Sequence, residues 1–162
     1  MKEIILVRHA KSSWDVICPT EKERPLTQKG IKEAEKMSKY LSQKIKVPEL
    51  IYSSSANRAL ETAMIFMRGL NVDPKVVRVS EELYCFPAEP IIEFIRNLDE
   101  DYDRVMIFGH NSGFTTISNT FGDRNIGGVP TSGVVQIIFD VSSWKQIDQG
   151  QTEIVAFPKL LY

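Results

Sequence analysis

Apolar residues along this chain fall into short continuous runs that alternate with longer segments of helical periodicity. Ile4 to Val7 and Val105 to Phe108 are uninterrupted apolar runs. Runs of this length are typical of strands that are buried on both faces. Applied along the chain, the pattern predicts strands over residues 4–7, 50–52, 76–79 and 105–108.

Between these runs, apolar positions recur every three or four residues, as they do on one face of a helix. Thr27 is a predicted N-cap, and it is followed at helical spacing by Ile31, Ala34, Met37, Leu41 and Ile45. Gly69 is predicted to end the second helix, and Pro90 to lie in the first turn of the third. The later helices are predicted over residues 56–68, 91–98 and 112–121.

Two late segments, residues 134–141 and 154–157, are rich in strand-forming residues and flank a polar stretch at 146–151, which is consistent with a hairpin. The alternation before them predicts a three-layer α/β/α sandwich with a mostly parallel central sheet, in a single domain over residues 1–162. Ligands of such sheets bind beyond the carboxyl ends of the strands. Functional residues are therefore expected directly after apolar strands.

The composition is that of an ordinary globular chain and excludes several kinds of partner. The chain has 162 residues, 43% of them apolar, and a formal net charge of -1. A nucleic-acid binder usually carries a basic excess, so none is expected as a partner. The first apolar run is too short for a signal peptide or a membrane span, which predicts a cytoplasmic location without membrane contact. Cys18 and Cys85 have no metal-binding spacing, and neither a metal nor another cofactor is expected.

Two arginines and two histidines follow predicted strands. Arg8 and His9 come directly after the first strand. Arg58 lies in the first turn of the helix after the second strand, and His110 follows the strand at residues 105–108. The carboxyl ends of parallel strands meet at one edge of a sheet, so these side chains are expected to converge. Arginine forks and helix N-termini both bind phosphoryl oxygens, and the set predicts a phosphate site.

Phosphoryl transfer is catalysed mainly by positioning and by stabilising charge. We assign His9 as the nucleophile because it lies beside Arg8 on a short turn, and because cationic neighbours disfavour its protonation. His110 is then a donor to the developing charge. Attack would form a phosphohistidine on His9, which water would hydrolyse. Ser12 and Ser55 are candidate hydroxyl donors in substrate binding, although helix capping explains Ser55 equally well.

The same residues resemble the motifs of the histidine phosphatase superfamily, also called the phosphoglycerate mutase-like family. Its Arg-His-Gly or Arg-His-Ala motif corresponds to Arg8-His9-Ala10, and its Ser-x-x-Arg-Ala-x-x-Thr-Ala motif to residues 55–63. The family's connecting loop corresponds to residues 25–30, and its late Gly-His pair to Gly109-His110-Asn111. The resemblance covers nearly the whole chain in order. It implies catalytic roles for Arg8, His9, Arg58 and His110, with Asn111 among the substrate-binding residues.

Within this superfamily the chain is most similar to the short SixA-type phosphohistidine phosphatases, because of its size, its Arg-His-Ala and its Gly-His-Asn. Their likeness implies an open, shallow site that takes a phosphorylated protein side chain. Many relatives carry a glutamate as general acid, and Cys85 stands at its position here. Glu82 is the possible proton donor nearby. A missing acid matters less for phosphohistidine than for an ester, because imidazole is a weaker base than an alkoxide.

Three functions stay open at this point. The first is a phosphatase that acts on phosphohistidine in proteins. The second is a small-molecule or phosphoester phosphatase of the same superfamily, which requires a working acid. The third is a non-catalytic phosphate-binding module. The sequence leaves the oligomeric state open.

Overall fold

The computed structural model describes residues 1–15, 17 and 20–161, and within them strands and helices alternate as predicted. No helix in this described part of the chain is long and apolar enough to cross a membrane. The main elements have the bounds β1 Lys2–Arg8, α1 Gln28–Leu41, β2 Leu50–Ser54, α2 Asn57–Gly69, β3 Val77–Ser80, α3 Ala88–Arg96, β4 Arg104–Gly109, α4 Gly113–Phe121, β5 Val134–Phe139 and β6 Gln151–Ala156.

The strands form one six-stranded sheet in the order β3-β2-β4-β1-β5-β6. The first four of these strands are mutually parallel, and β5 pairs antiparallel with both β1 and β6. The mostly parallel sheet and the late hairpin are therefore confirmed. The parallel strands all end at one edge, which places the residues that follow β1, β2 and β4 next to one another.

Alternate residues of the central strands are buried on opposite faces of the sheet. Ile4 and Leu6 of β1 pack among the side chains of α3 and α4, whereas Ile5 and Val7 pack among those of α1 and α2. Two apolar cores result, one on each face, as the three-layer prediction requires. This double burial explains why β1 is a continuous apolar run rather than an alternating one.

Helix α1 begins as the sequence predicts, because the Thr27 side chain accepts a hydrogen bond from the Gly30 main-chain nitrogen. Helix α3 differs from its prediction: it spans Ala88–Arg96 instead of 91–98, so Pro90 is its third residue. Nitrogens in the first turn of a helix have no partner within the helix. Proline costs no hydrogen bond there, and the helix starts before it.

Gly69 is the last residue of α2 rather than the residue after it. A Cβ at this position would lie 2.1 Å from Oγ of Ser38, so glycine is required where α2 approaches α1. The left-handed backbone conformation that often follows a helix is taken instead by Asn71, with φ 55°. Close packing between helices, rather than the turn, accounts for this glycine.

The hairpin strands are also shifted from their predicted bounds. Strand β5 ends at Phe139, and β6 begins at Gln151. The pairing changes register between Gln136 and Ile137, which marks a local irregularity in the ladder. In β6, main-chain pairing thus extends through residues whose side chains are polar. The pattern of apolar residues therefore does not mark where this strand begins.

Candidate active site

The ends of β1, β2 and β4 are brought together by the register of the sheet. Arg8 lies opposite Gly109 on β4, and the main-chain nitrogen of His9 donates to the Gly109 carbonyl at 3.1 Å. The Ala10 nitrogen donates to Oγ1 of Thr62 on α2 at 2.9 Å. The turn after β1 is therefore tied to both the neighbouring strand and the helix behind it, which restricts where the His9 ring can lie.

His9 is buried, and its ring centroid lies 5.3 Å from that of His110. Its Nδ1 is 2.7 Å from the carbonyl oxygen of Ala10. A carbonyl only accepts, so this contact places the ring proton on Nδ1 and the lone pair on Nε2. Burial, together with the charges of Arg58, Arg8 and Arg24, outweighs the Ala10 contact and lowers the pKa of His9 to about 4. The ring is neutral at physiological pH.

His110 is the more deeply buried of the two histidines. Its Nε2 lies 2.8 Å from Oγ of Ser54, and its Nδ1 has no hydrogen-bond partner among the described residues. Burial, followed by the neighbouring His9 and Arg58, lowers its pKa to about 3. The rings of Tyr84 and Phe86 contact it edge-on, at centroid distances of 5.7 and 5.1 Å.

Three guanidinium groups surround the histidines. Arg58 and Arg24 are both buried. Arg8 donates from Nη1 to the Val129 carbonyl at 3.0 Å, and burial lowers its pKa from the usual value. Within the part of the chain that the structure describes, the Nε of each of the three is buried without a hydrogen-bond partner. Such a concentration of donors is suited to a multivalent anion, because each planar fork binds two anionic oxygens at once.

Arg24 and Glu21 belong to this cluster, and neither is among the predicted site residues. Arg24 donates from Nη1 to Oγ of Ser12 at 2.9 Å, and its guanidinium carbon lies 3.3 Å from the centroid of the Trp14 ring. Glu21 Oε1 pairs with both Arg24 and Arg58. Arg24 directly precedes the loop at residues 25–30. An arginine at the edge of a family motif is the signal by which the sequence could have indicated it.

A cavity of about 220 Å³ opens beside His9 and is lined by Arg8, His9, Lys11, Ser12, Trp14, Arg24 and Thr131. A larger cavity of about 460 Å³ lies elsewhere, with Glu82, Tyr52 and Phe94 among its lining residues. Neither histidine lines the larger one. The chemistry of the lining, rather than the volume, identifies the smaller cavity as the candidate active site.

The two serines that were predicted to bind substrate differ in their contacts. Ser12 lies in the cavity beside His9 and contacts Arg24. Ser55 lies near Glu81, whose pKa is lowered first by Lys22 and then by Ser55, whereas Ser54 is the serine that contacts His110. Their roles in substrate binding stay predictions.

Asn111 uses its side chain within the protein. Its Nδ2 donates to the Val129 carbonyl at 3.0 Å, and its Oδ1 accepts from both the main chain and the hydroxyl of Thr115. The Val129 carbonyl also accepts from Arg8. Asn111 thus holds the loop that positions Arg8, and direct contact with substrate stays a prediction.

Glu82 is exposed and lines the larger cavity rather than the one beside His9, and its role as proton donor stays a prediction. Burial raises the pKa of the Cys85 thiol, so this residue remains protonated at neutral pH. Cys18 lies outside the described residues. Within the described residues, no group of three or more histidine, cysteine, aspartate or glutamate side chains is arranged to hold a metal ion.

Curated relatives of this chain carry no assigned activity. The chain is 29% identical over 133 residues to an uncharacterised chloroplastic protein of Arabidopsis thaliana, covering 77% of this chain and 61% of the relative. It thus spans less than two thirds of that protein's length. An uncharacterised protein of Mycobacterium leprae is 25% identical, and the match covers 93% of this chain and 98% of the relative.

Several solved structures with the same fold are described as phosphatases. A candidate phosphohistidine phosphatase SixA from Agrobacterium tumefaciens is 26% identical with a TM-score of 0.73, over 85% of this chain and 91% of that one. The protein histidine phosphatase SixA complexed with tungstate has a TM-score of 0.81 at 21% identity, over 99% of both chains. A mycobacterial glucosyl-3-phosphoglycerate phosphatase has a TM-score of 0.67 at 15% identity, over 94% of this chain and 97% of that one.

The family assignment rests on sequence and fold together. The profile of the histidine phosphatase superfamily (branch 1) matches residues 4–85, which is just over half of the chain. The matched region includes Arg8, His9 and Arg58, and the sheet brings His110 to them from outside it. This protein therefore belongs to the histidine phosphatase superfamily, branch 1, and has the α/β fold of its SixA-type phosphatases.

Proposed function

We propose that this phosphatase hydrolyses phosphohistidine in proteins through a covalent phosphohistidine on its own His9. The observation that supports this most directly is the 2.7 Å contact between His9 Nδ1 and the Ala10 carbonyl. It orients the ring and leaves the lone pair on Nε2, which is the requirement for a nucleophilic imidazole. The low pKa of His9, about 4, keeps that lone pair free of a proton at neutral pH.

The reaction has two steps. In the first, the Nε2 lone pair of His9 attacks phosphorus, and the bond from phosphorus to the substrate's imidazole nitrogen breaks. A substrate imidazole that carries a proton on its other nitrogen leaves as neutral imidazole. In the second step water attacks phosphorus, the bond to Nε2 breaks, and phosphate is released with the water's proton transferred to solvent. Arg8, Arg24, Arg58 and His110 donate to the phosphoryl oxygens, whose charge they stabilise in both transition states.

Phosphohistidine is favoured over phosphate esters by the acid chemistry of the site. An alkoxide leaving group needs a proton in the transition state, whereas a protonated imidazole needs none. Cys85 occupies the position of the family's general acid, and Glu82 lines a different cavity from His9. Glu21, a carboxylate that does pair with the arginines of the site, is held ionised: burial raises its pKa, but the hydrogen bonds from Tyr84 and Arg24 and the charge of Arg58 outweigh burial and lower it.

A labelling experiment tests the nucleophile. The chain has two histidines, so the His9→Ala and His110→Ala variants form a matched pair. Each protein is mixed with a ³²P-phosphohistidine protein and quenched in alkaline detergent, in which phosphohistidine survives. Wild type and His110→Ala should retain label, and the latter should turn over slowly; His9→Ala should retain none. Label on His9→Ala, or its absence from both other proteins, contradicts the proposal.

A substrate panel tests the leaving group. The value of kcat/KM is compared for phosphohistidine, phosphoserine and phosphotyrosine peptides and for a sugar phosphate. The rate measured with His9→Ala is subtracted as the background from any contaminating phosphatase. We expect the phosphohistidine peptide to be the best substrate by about a hundredfold or more. A higher kcat/KM for an ester would instead identify a small-molecule or phosphoester phosphatase.

A further inference from the structure

Glu21 reaches the site from the 3-10 helix Glu21–Glu23. Its Oε1 lies 2.6 Å from Nη2 of Arg58 and 3.2 Å from Nη2 of Arg24, and its Oε2 accepts from the Tyr84 hydroxyl. The main-chain carbonyl of Glu21 also accepts from Nη1 of Arg58, at 3.2 Å. Arg58 therefore meets Glu21 through both of its terminal nitrogens.

The pairing joins a partly exposed acid to two buried cations. The Glu21 side chain is 41% exposed, whereas those of Arg58 and Arg24 are 3% and 8% exposed. A buried cation is costly without a counter-charge, so Glu21 stabilises these arginines when no phosphoryl group is present. Because much of its side chain lies in solvent, the carboxylate can leave without unpacking an apolar core.

The Glu21 carboxylate and a phosphoryl group compete for the guanidinium of Arg58. Phosphoryl oxygens bind to guanidinium forks, and the carboxylate already pairs with Nη2 of Arg58, whereas Nη1 donates to the Glu21 main-chain carbonyl. Arg8, Arg24 and Arg58 carry three positive charges, of which the Glu21 carboxylate neutralises one. A bound phosphoryl dianion beside an ionised Glu21 would also be repelled by it.

Glu21 is poorly suited to act as the missing general acid. Burial by itself raises the pKa of this carboxyl, but the hydrogen bonds from Tyr84 and Arg24 and the charge of Arg58 outweigh burial and hold the pKa below its usual range. A carboxyl group that is ionised throughout the physiological range has no proton to deliver to a leaving group. Its position thus favours a role as an anion.

We propose that Glu21 is an internal counter-anion, which holds Arg58 and Arg24 in the free protein and is displaced from Arg58 by the phosphoryl group of the substrate. This inference rests on the proposed function in so far as the site takes a phosphoryl group. Glu21 then sets the anion selectivity of the site. A bound monoanion only replaces the single negative charge of the Glu21 carboxylate, whereas a dianion brings a second negative charge to the arginines.

Binding of inorganic phosphate to the Glu21→Gln variant tests the proposal without turnover. Glutamine keeps the shape of the side chain and removes its charge. Calorimetry at pH 8 and low ionic strength should give a Kd about tenfold lower than that of wild type. Glu23→Gln is the matched control, since it removes the same charge from the same 3-10 helix, where Glu23 accepts only from Thr20 among its described side-chain contacts. Its Kd should change less than about twofold.

A crystal structure of the wild type with phosphate or tungstate bound provides a second measurement that does not depend on a variant's folding. The separation of Glu21 Oε1 and Arg58 Nη2 should exceed about 4 Å, the limit of an ion pair. A carboxylate still paired with Arg58 beside the bound anion overturns the proposal. Weaker or unchanged phosphate binding by Glu21→Gln also overturns it, and assigns Glu21 to positioning the arginines.

The two proposals fail in different ways. If the wild type does not hydrolyse phosphohistidine while Glu21→Gln binds phosphate more tightly, the proposed substrate is wrong and the counter-anion stands. If phosphohistidine is hydrolysed and Glu21→Gln does not tighten phosphate binding, the counter-anion is wrong and the proposed function stands.

Discussion

The hydroxyl oxygen of Ser54 lies 2.8 Å from Nε2 of His110, and this contact joins the end of β2 to the end of β4. Ser54 Oγ also accepts from the main-chain nitrogen of Ala56 at 3.2 Å. If the hydroxyl proton is donated to Nε2, the proton of the His110 ring lies on Nδ1, for which residues 1–15, 17 and 20–161 provide no partner. That N–H is then a donor for a phosphoryl oxygen.

Ser54→Ala should therefore lower kcat by about tenfold, because His110 loses the group that sets its tautomer and orientation. Ser53→Ala is the control: it removes another fully buried hydroxyl from the same strand, one that donates to the main chain and not to His110. Both variants should lose about 1–3 kcal/mol of unfolding free energy. Equal effects of the two on kcat would show that Ser54 is only structural.

The two buried histidines should make the protein sensitive to mild acid. Their folded pKa values of about 4 and about 3 lie below the ordinary 6.5, so the unfolded chain takes up protons that the folded one does not. Stability from this source is complete above pH 6.5 and is lost as pH falls from 6.5 to about 4 for His9 and to about 3 for His110. Urea unfolding at pH 7 and pH 4.5 should show an extra loss of about 5 kcal/mol from these two groups, which is about 1.4 kcal/mol for each group and each of the two pH units below 6.5.

The control for this measurement is a His9→Gln, His110→Gln double variant, which has no histidine left to titrate. Its unfolding free energy should fall less between the two pH values than that of wild type. The same fall in both proteins would mean that carboxyl groups, and not the histidines, produce the acid sensitivity.

Arg24 should contribute to phosphoryl binding although no motif assigned it a role. Arg24→Gln is expected to raise KM and the Kd for phosphate by about tenfold or more, because a charged bidentate donor next to Ser12 is lost. Lys22→Gln removes a cation two residues away, one that pairs with Glu81 at the surface, and should have little effect. Steady-state kinetics with a phosphohistidine peptide would distinguish them, and a similar KM for both variants would argue against a specific role.

Gly30 is predicted to be irreplaceable for a steric reason. A Cβ there would lie 2.3 Å from the main-chain oxygen of Lys11, two residues after His9. Gly30→Ala should therefore displace this segment and destabilise the protein by about 1–3 kcal/mol, with a fall in kcat. Gly128→Ala, at a position with nothing within 4 Å, is the control for both thermal unfolding and activity. A stable, fully active Gly30→Ala would refute the close approach.

Much of the fold follows from local pattern. The run from Ile4 to Val7 identified a strand buried on both faces, and Thr27 identified the start of α1. The bounds of helices and strands were harder to predict where no local sequence signal marks the end of an element. Pro90 is tolerated anywhere in the first turn of α3, and the pairing of β5 with β6 depends on main-chain contacts that side-chain pattern does not record.

The sequence by itself determined the parts of this protein that short-range rules govern. Arg8, His9, Arg58 and His110 follow or flank strand ends, and parallel strand ends must meet at one edge of the sheet, so their convergence could be expected before the fold was seen. The order of motifs was enough to indicate the superfamily that the profile and the fold confirm.

Only the tertiary structure decided which neighbours complete the site. Among the acidic side chains near it, Glu21 reaches the arginines while Glu82 lines another cavity, and among three consecutive serines Ser54 contacts His110. These choices depend on the direction of each side chain and on contacts between residues far apart in sequence. No periodic pattern in the sequence records such contacts, whereas the packed fold holds each of these side chains in a single position.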